Sequence, residues 1–402
     1  MLFVIDRCYR NLNMFLVFVQ GKMNMRIGRR NYKLSMRWFV FICSTLVCLL
    51  GILVLFPATI KDSNQKFRKI LREFTSETKI SAELLAFVKR NTSWKNTSAH
   101  GANMSAFYSN MMPTLGPPSD IRPNMSAKYS LCVLLMGRLG NQMFQFAAMY
   151  GLAAKKGMSV AIDETNQLTK VFKLGVKRKK NYRNICKTYV PRRARFGCGY
   201  DKRMATFPAN NNYRVGAYLQ SWMYFYNASK SLRKQFVFKD DITESKNKVI
   251  HSVLRKHNFT SRSNVTLIGV HIRRGDLVDH KFGYQVASES YINKSVHYFL
   301  DKQLKNVIFL ICSNGMAWTK ENMPKGIRSE YIEGNSPAVD MAILGSCDHM
   351  ISSVGTFSWW SAWLTGGEVT FYQWPAKDGS RLRNAFSKDY KDFFYPGWVG
   401  LT

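Results

Sequence analysis

The carboxyl-terminal third of the chain alternates between short apolar runs and longer segments of helical spacing. Runs such as "VTLIGVHI" (265–272), "NVIFLIC" and "EVTFYQW" are typical of buried strands, and apolar residues recur every three or four positions in "ESYINKSVHYFLDKQL". Strands that alternate with helices form a parallel sheet whose faces are covered by the crossover helices. This pattern restricts residues 263–402 to an α/β domain of the Rossmann-like kind.

A similar unit begins at Tyr129. The segment "YSLCVLLMGRLGNQMFQFAAMYGLAAKKG" predicts a strand, a glycine turn and a helix, and "MSVAID" predicts a second strand. Residues 176–262 show no clear pattern, although helices are expected at 225–237 and 242–256. The predicted fold class is therefore α/β, with two Rossmann-like domains, 128–262 and 263–402, that face each other across a cleft.

The amino-terminal part predicts a membrane anchor. Residues 38–56, "WFVFICSTLVCLLGILVLF", carry no charge over a length close to the ~20 residues of a membrane helix. Basic residues precede this run, which places the amino terminus in the cytoplasm. A cleaved signal peptide is the alternative, but the run is long for one and begins late in the chain. We predict a cytoplasmic tail at 1–37, an uncleaved signal-anchor at 38–56 and a polar stem at 57–127.

Glycosylation acceptors agree with this topology. Eight N-x-S/T sequences follow the apolar run and none precedes it: Asn91, Asn96, Asn103, Asn124, Asn227, Asn258, Asn264 and Asn293. A type II membrane protein of the secretory pathway with a lumenal body is the prediction. The lumen permits disulfides, and of the five lumenal cysteines we expect Cys186 and Cys198 to pair. No cysteine or histidine cluster has zinc spacing, so no structural metal is expected.

The formal net charge of +34 raises the question of nucleic-acid binding. A lumenal body meets no such partner, and part of the charge belongs to the cytoplasmic tail. The densest lumenal run, "VKRKKNYRNICKTYVPRRARFGCGYDKR" (176–203), is either a solvated loop or a surface that attracts an anionic donor or acceptor.

Three polar groups of residues follow predicted strands, at the carboxyl ends where parallel α/β sheets bind ligands. The first is "GRLGNQ", in which Gly140 and Asn141 open a helix whose backbone amides suit an anion. It lacks the glycine spacing of dinucleotide-binding and P-loop sites, so by itself it is also consistent with a tight turn.

The second group is "HIRRGD", which runs from His271 to Asp276. Arginine binds phosphate oxygens in pairs, so Arg273 and Arg274 suit a diphosphate. Because successive side chains leave a strand on opposite sides, we expect one arginine on the phosphates and the other held by a carboxylate, with Asp276 as the candidate. The cell-attachment interpretation of "RGD" needs an exposed loop tip, whereas this one follows a buried strand.

The third group is "SSVGTFSWWSAWL" (352–364), a second anion cradle at the start of a helix, and "CSNGMAW" offers polar atoms for a base or ribose. The tryptophans are expected to pack rather than to stack on a base. The predicted donor-binding residues of these two segments are Ser313, Asn314, Ser353, Gly355, Thr356, Phe357 and Ser358.

The motifs "GRLGNQMFQFAAMYGLA", "IGVHIRRGD" and "DMAILGSCDHMISSVGTFSWWSAWL" resemble those of the α-1,2-fucosyltransferases, glycosyltransferase family 11. The resemblance covers about 131–375, and "RGDLVD" lacks the tyrosine often found after this aspartate. It implies a GT-B fold and a Golgi enzyme that transfers L-fucose from GDP-fucose, with inversion, to the 2-hydroxyl of a terminal β-galactoside. It also implies that the donor binds mainly to the carboxyl-terminal domain, that the amino-terminal domain serves the acceptor, and that no metal is needed.

Two alternatives to this function stay open. A fucosyltransferase-like protein that binds glycan or nucleotide without turnover would have lost the arginine pair or the "GTFS" cradle, and both are present. A sulfotransferase, also type II and basic, would show a loop like the P-loop, which is absent from the sequence.

The catalytic base is open as well. Asp276 is the first candidate, together with Arg273 and Arg274 as charge-stabilising residues of the active site. Asp279 follows, then His271 and His349, which buried strand positions could equally explain. A dissociative route without a base is the remaining possibility.

Overall fold

The computed structural model describes residues 22–27, 30–35 and 119–402 of the chain. In the amino-terminal unit, β1 (Lys22–Ile27) and β2 (Arg30–Ser35) pair antiparallel, with Ile27 opposite Arg30. The predicted anchor at 38–56 and most of the predicted stem lie outside the described residues. Among the residues that are described, no helix is both long and apolar enough to cross a bilayer.

The first lobe of the larger unit contains a five-stranded parallel sheet in the order β5-β4-β3-β7-β6. Its strands are β3 (Ser130–Val133), β4 (Ser159–Asp163), β5 (Lys177–Lys179), β6 (Val190–Arg193) and β7 (Tyr213–Gly216). Its helices are α1 (Leu139–Lys156), α2 (Gln167–Val171), α3 (Tyr182–Lys187), α4 (Arg203–Thr206) and α5 (Ser229–Gln235). Strands β5, β6 and β7 fall in the segment for which the sequence pattern predicted no strand.

The second lobe contains a six-stranded parallel sheet in the order β10-β9-β8-β11-β12-β13. A long helix, α6 (Asp240–Lys256), joins the lobes. The strands are β8 (Thr266–Ile272), β9 (Val307–Ser313), β10 (Ser329–Tyr331), β11 (His349–Ser352), β12 (Val369–Tyr372) and β13 (Val399–Leu401). The helices are α7 (Glu289–Leu300), α8 (Met316–Asn322), α9 (Pro337–Gly345) and α10 (Thr356–Thr365). The predicted α/β class with two parallel sheets is confirmed.

Local sequence explains where the helices of the second lobe begin. The hydroxyls of Ser288 and Ser336 accept hydrogen bonds from backbone amides in the first turns of α7 and α9, which satisfies donors that a helix start leaves unpaired. Strand β8 is buried at six of its seven positions, as a central strand covered on both faces must be.

An aromatic cluster joins the two lobes. The ring of Phe144, on α1, lies 4.6 Å from that of Trp359 and 5.0 Å from that of Trp360, both on α10. The three tryptophans of α10 are at most 2% exposed, so the prediction that they serve in packing is confirmed. Burial of such large side chains in this cluster stabilises the packing of α1 against α10.

The disulfide prediction was wrong. Cys186 pairs with Cys132 of β3, at a Cα–Cα distance of 5.9 Å, and Cys198 is a buried free thiol. Cys186 lies on α3, which covers the sheet face that Cys132 points toward, whereas Cys198 packs with the core on the other side. Proximity in sequence was therefore a poor guide, because α3 turns its cysteine toward the sheet and away from the loop.

The end of the predicted stem packs on the first lobe. The backbone carbonyl of Ile121 accepts a hydrogen bond from the Ser231 hydroxyl, and the Asp120 carboxylate pairs with Lys234 at 3.1 Å. The backbone amide of Asn124 donates to the carbonyl of Met158. Residues 120–124 are thus ordered against this lobe.

Candidate active site

The carboxyl ends of both sheets bring together residues that the sequence analysis singled out. In the second lobe, β8 ends in His271 and Ile272, β9 ends in Ser313, and β11 ends in Ser352. Strand register places His271 beside Cys312 on one side and beside Ser352 on the other. The loops that follow these three strands form what we call the interlobe site.

The two arginines, which follow the last residue of β8, diverge. The guanidinium of Arg273 pairs with Asp276 at 2.5 Å, and its backbone amide donates to the hydroxyl of Ser353 at 2.8 Å. The guanidinium of Arg274 lies 3.7 Å from the ring centroid of Trp318 and donates to the carbonyl of Ala287. The prediction that Asp276 holds one arginine is confirmed, and that arginine is Arg273.

Asn314 fixes the turn that carries Asp276. Its side-chain oxygen accepts from the Arg274 amide at 2.9 Å, and its nitrogen donates to Asp276 at 3.2 Å. Gly275 has a φ of +25° and an added Cβ would collide with the Asn314 amide, so the turn requires glycine. Ser313 stabilises the same loop. Its hydroxyl donates a hydrogen bond to the Ile272 carbonyl and accepts one from the Gly315 amide.

His271 is 7% exposed, and burial, followed by the charge of Arg273, lowers its pKa to about 3. The ring is neutral at physiological pH and lies 4.9 Å from that of Phe357. Among the described residues, its buried Nδ1 atom has no hydrogen-bond partner. A buried polar atom without a partner carries a free-energy cost.

The start of α10 forms the other wall of the interlobe site. Gly355, with a φ of +92°, precedes the helix, and an added Cβ there would have no described atom within 4 Å. The Ser353 hydroxyl accepts a hydrogen bond from the Arg273 backbone amide, and the Ser358 hydroxyl lies buried 3.0 Å from that of Ser352. The first amides of α10 are therefore the part of this segment best suited to an anion, because they point out of the helix start.

Gly140 and Asn141 contact the second lobe directly. An added Cβ on Gly140 would lie 2.6 Å from the Thr356 carbonyl carbon, so only glycine permits this approach. The Asn141 side-chain oxygen accepts from the Thr356 hydroxyl at 2.8 Å and from Gln220 at 3.1 Å. The structure thus places both residues against the start of α10, where they position that helix.

Arg138, which the sequence analysis did not single out, brings a third guanidinium to the interlobe site. It precedes α1, and its Nη1 atom lies 4.0 Å from Asp276 across the lobes. Both side chains are largely exposed, so this pair contributes little to stability, about 0–1 kcal/mol. The sequence feature that could have identified Arg138 as a site residue is its position between the two glycines of "GRLGNQ".

Asp340, in the first turn of α9, is a second residue that the sequence analysis missed. Burial raises its pKa to about 6, and its carboxylate accepts a hydrogen bond from Asn335 at 3.3 Å. The pKa of the Cys312 thiol is raised by burial first and by the Asp340 charge second, so the two side chains are neighbours. A partly buried carboxylate at this edge of the sheet is a binding-site candidate.

The other base candidates occupy different places. His349 begins β11 and accepts a hydrogen bond from the Glu368 amide, so it lies at the amino end of the sheet, away from the interlobe site. The Asp279 side chain is 87% exposed and lies 3.3 Å from Lys377. Two cavities, of about 260 and 310 Å³, lie beside the Cys132–Cys186 disulfide and between α5 and α9 and contain none of the residues of the interlobe site.

Comparison with known sequences defines the class of protein. The sequence profile of glycosyl transferase family 11 matches residues 104–402, most of the chain. The chain therefore belongs to this family, which confirms the predicted family and the predicted enzyme class.

Particular relatives carry a more specific name. Galactoside alpha-(1,2)-fucosyltransferase 2 of Oryctolagus cuniculus is 28% identical over 277 residues, covering 66% of this chain and 75% of the relative. The protein of the same name from Rattus norvegicus is 27% identical over 306 residues, covering 72% of this chain and 81% of the relative. Among solved structures, the fucosyltransferase NodZ from Bradyrhizobium is 13% identical, with a TM-score of 0.39 over 58% of this chain and 93% of its own.

No metal centre is visible in the part of the chain that the structure describes. No group of three or more histidine, cysteine, aspartate or glutamate side chains is arranged to hold an ion there. The charged groups at the interlobe site are the guanidiniums of Arg138, Arg273 and Arg274 and the carboxylate of Asp276.

Proposed function

We propose that this enzyme transfers L-fucose from GDP-fucose to the 2-hydroxyl of a terminal β-galactoside on glycoprotein or glycolipid glycans. The observation that carries this proposal is the interlobe site itself, where the guanidiniums of Arg138 and Arg273 lie within 4.0 Å of the exposed carboxylate of Asp276 and the Arg273 backbone bonds Ser353, just before α10. The names of the family relatives supply the sugar and the linkage.

The donor would lie on the second lobe. The diphosphate would meet Arg273 and the first amides of α10, since charge-assisted hydrogen bonds and a helix start both favour an anion. The unpaired Nδ1 of His271 lies beside this position and can hydrogen-bond a phosphate or sugar oxygen. Some of the residues predicted to bind the donor, such as Arg273 and His271, would contact it directly. Others, such as Gly140 and Asn141, position the helix start around it.

The guanine base of the donor would lie near Asp340. Guanine presents two adjacent N–H donors, N1–H and N2–H, which a carboxylate can accept as a pair. Ionisation of a half-buried carboxyl group is costly without such partners, and the raised pKa of Asp340 reflects that cost. A guanine would supply the missing donors.

The chemical step follows from this arrangement. The oxygen of the acceptor 2-hydroxyl bonds to C1 of fucose while the bond from C1 to the GDP oxygen breaks, and the electron pair leaves with GDP. Asp276 accepts the hydroxyl proton, and Arg273 and the α10 amides stabilise the charge that develops on the diphosphate. The Asp276 carboxylate is held by Arg273 and Asn314, which fixes its direction.

Substitution Asp276→Asn tests the role of this carboxylate. A base variant keeps GDP-fucose affinity and loses transfer by about 10²–10⁴-fold, while slow hydrolysis of the donor by water persists. If donor affinity collapses as well, Asp276 acts by holding Arg273, and the assignment as base is wrong.

The proposed location is the Golgi membrane, with the signal-anchor at 38–56 and a lumenal body. All five acceptor asparagines in the described part of the chain are exposed: Asn124, Asn227, Asn258, Asn264 and Asn293. Glycosidase treatment of the protein expressed in animal cells should increase its mobility on a denaturing gel. An unchanged mobility after this treatment would contradict the lumenal topology.

A panel of radiolabelled nucleotide sugars, each offered with a β-galactoside, a β-glucoside and a β-N-acetylglucosaminide, tests the donor and acceptor together. Transfer from GDP-fucose to the galactoside alone is the expected pattern. Binding of GDP-fucose without any transfer would favour the alternative, a family member that binds without turnover.

A further inference from the structure

Tyr218 occupies an unusual position in the first lobe. It follows β7 by two residues, and β7 pairs with β3, the strand that leads to Gly140 and Asn141. The carboxyl ends of these two strands therefore lie side by side. Tyr218 is 41% exposed, whereas the next residue, Leu219, is fully buried.

The backbone on both sides of Tyr218 lies in the left-handed region. Ala217 has a φ of +81° and Leu219 a φ of +53°, values that side-chain-bearing residues rarely adopt. No other residue in the described part of the chain is flanked by two such non-glycine residues. Backbone strain of this kind concentrates at binding sites, because the surrounding structure must enforce it.

The surroundings enforce this conformation. The amide of Gln220 donates to the Gly197 carbonyl, and the Gln220 side chain donates to Asn141, which in turn bonds Thr356 of the second lobe. The ring of Tyr218 also lies within ordinary contact of Gly197, 3.9 Å from an added Cβ. The segment that presents Tyr218 is thus tied to the start of α10.

Tyr284 is a neighbour both of Tyr218 and of the Arg273–Asp276 pair. Its pKa is raised chiefly by burial and further by neighbours that include Tyr218 and Asp276, while Arg273 lowers it. Tyr284 therefore has Tyr218 of the first lobe and the Arg273–Asp276 pair of the second among its neighbours.

We propose that Tyr218 is the platform on which the terminal hexopyranose of the acceptor stacks, an inference that rests on the proposed function. One face of a galactopyranose ring presents C–H groups, and an exposed aromatic ring offers it a flat apolar surface, while its hydroxyl edge stays free to meet Asp276. Tyr218 then positions the acceptor and takes no part in proton transfer.

The test compares Tyr218→Ala, Tyr218→Leu and Tyr218→Phe with the wild-type enzyme, using GDP-fucose and a phenyl β-galactoside. The leucine variant keeps an apolar side chain of substantial size on the strained backbone, which guards against a folding defect in the alanine variant. Each variant is assayed for acceptor KM, donor KM, GDP affinity and hydrolysis of GDP-fucose without acceptor.

Loss of the aromatic face should raise acceptor KM about three- to tenfold in Tyr218→Ala and Tyr218→Leu, and Tyr218→Phe should stay within about twofold of wild type. Donor KM, GDP affinity and donor hydrolysis should not change. The matched control is Tyr298→Ala, a partly exposed tyrosine that bonds Glu368 at the opposite edge of the second sheet. It should leave acceptor KM unaltered.

An acceptor KM that is unchanged in Tyr218→Leu would overturn this inference and leave the proposed function intact. An equal rise in donor KM would overturn it too, because the ring would then serve the donor or the fold. A wild-type enzyme that hydrolyses GDP-fucose and fucosylates no hexoside would refute the proposed acceptor, and the inference with it.

Discussion

The Thr356 hydroxyl donates a 2.8 Å hydrogen bond to the side-chain oxygen of Asn141. Thr356 begins α10 and Asn141 lies in the first turn of α1, so this bond joins the starts of the two principal helices. Directly beside it, Gly140 allows the two backbones to approach within van der Waals distance. The start of α10, where we propose that an anion binds, is therefore held by the first lobe.

The first prediction concerns this approach. In Gly140→Ala the added methyl group must displace Thr356, so we expect GDP affinity to fall at least tenfold and stability to fall by about 1–3 kcal/mol. Gly175→Ala is the matched control, because its Cβ would lie 3.5 Å from the Gln235 side chain, an ordinary contact. Calorimetric GDP titration of both variants checks the result, and equal affinities would contradict it.

The second prediction concerns the arginine pair. Arg273→Ala removes a charge-assisted contact of roughly 1.5–3 kcal/mol, so GDP should bind at least about tenfold more weakly. Arg274→Lys retains the charge but loses the planar group that stacks on Trp318, and it should reduce affinity and stability together. Calorimetry measures both. Unchanged GDP affinity in Arg273→Ala would refute the diphosphate assignment.

The third prediction concerns Asp340. Its folded-state pKa of about 6 lies above the unfolded value of 3.8, so the ionised group destabilises the fold at neutral pH. Asp340→Asn should raise the free energy of unfolding by about 1–2 kcal/mol at pH 7.5, with allowance for solvent contact, and the gain should disappear as the pH falls from 6 to 3.8. Urea denaturation across this range measures the difference.

The same substitution separates stability from function. Asparagine has one carbonyl oxygen and cannot accept the guanine N–H pair as a carboxylate does. Asp340→Asn should therefore be more stable at pH 7.5 and yet bind GDP more weakly than wild type. A variant that is more stable and binds GDP equally well would show that Asp340 does not contact the base.

The fourth prediction concerns metal. The charges available for the leaving diphosphate are those of arginines and helix amides, which need no ion to act. Transfer should persist at wild-type rate after treatment with EDTA. Loss of activity that added Mn²⁺ restores would contradict the prediction.

Much of this arrangement was predictable because α/β folds repeat one periodic pattern. The strands and helices from β8 to α10 follow from alternating apolar runs, except the short β10, which was not predicted. The position of the site follows from the carboxyl ends of the strands. The divergence of Arg273 and Arg274 was expected from strand alternation, but both residues lie beyond Ile272, where β8 ends, so that rule does not explain it. The predicted strands, helices and site position depend on local sequence.

The features that were missed depend on contacts between distant segments. Strands β5, β6 and β7 are three or four residues long and carry basic or exposed positions that mask their pattern. The disulfide depends on which way α3 faces. Arg138 and Asp340 became candidates only when the fold placed one beside Asp276 and buried the other.

The most direct test of the central claim is the structure of the product. The purified enzyme should be incubated with GDP-fucose and a terminal β-galactoside in the absence of metal, and the linkage determined by NMR. The account predicts fucose α-linked to O2 of the galactose, formed by the wild type and reduced by at least 10²-fold in Asp276→Asn. Fucose attached at another position, or no fucosylated product, would contradict it.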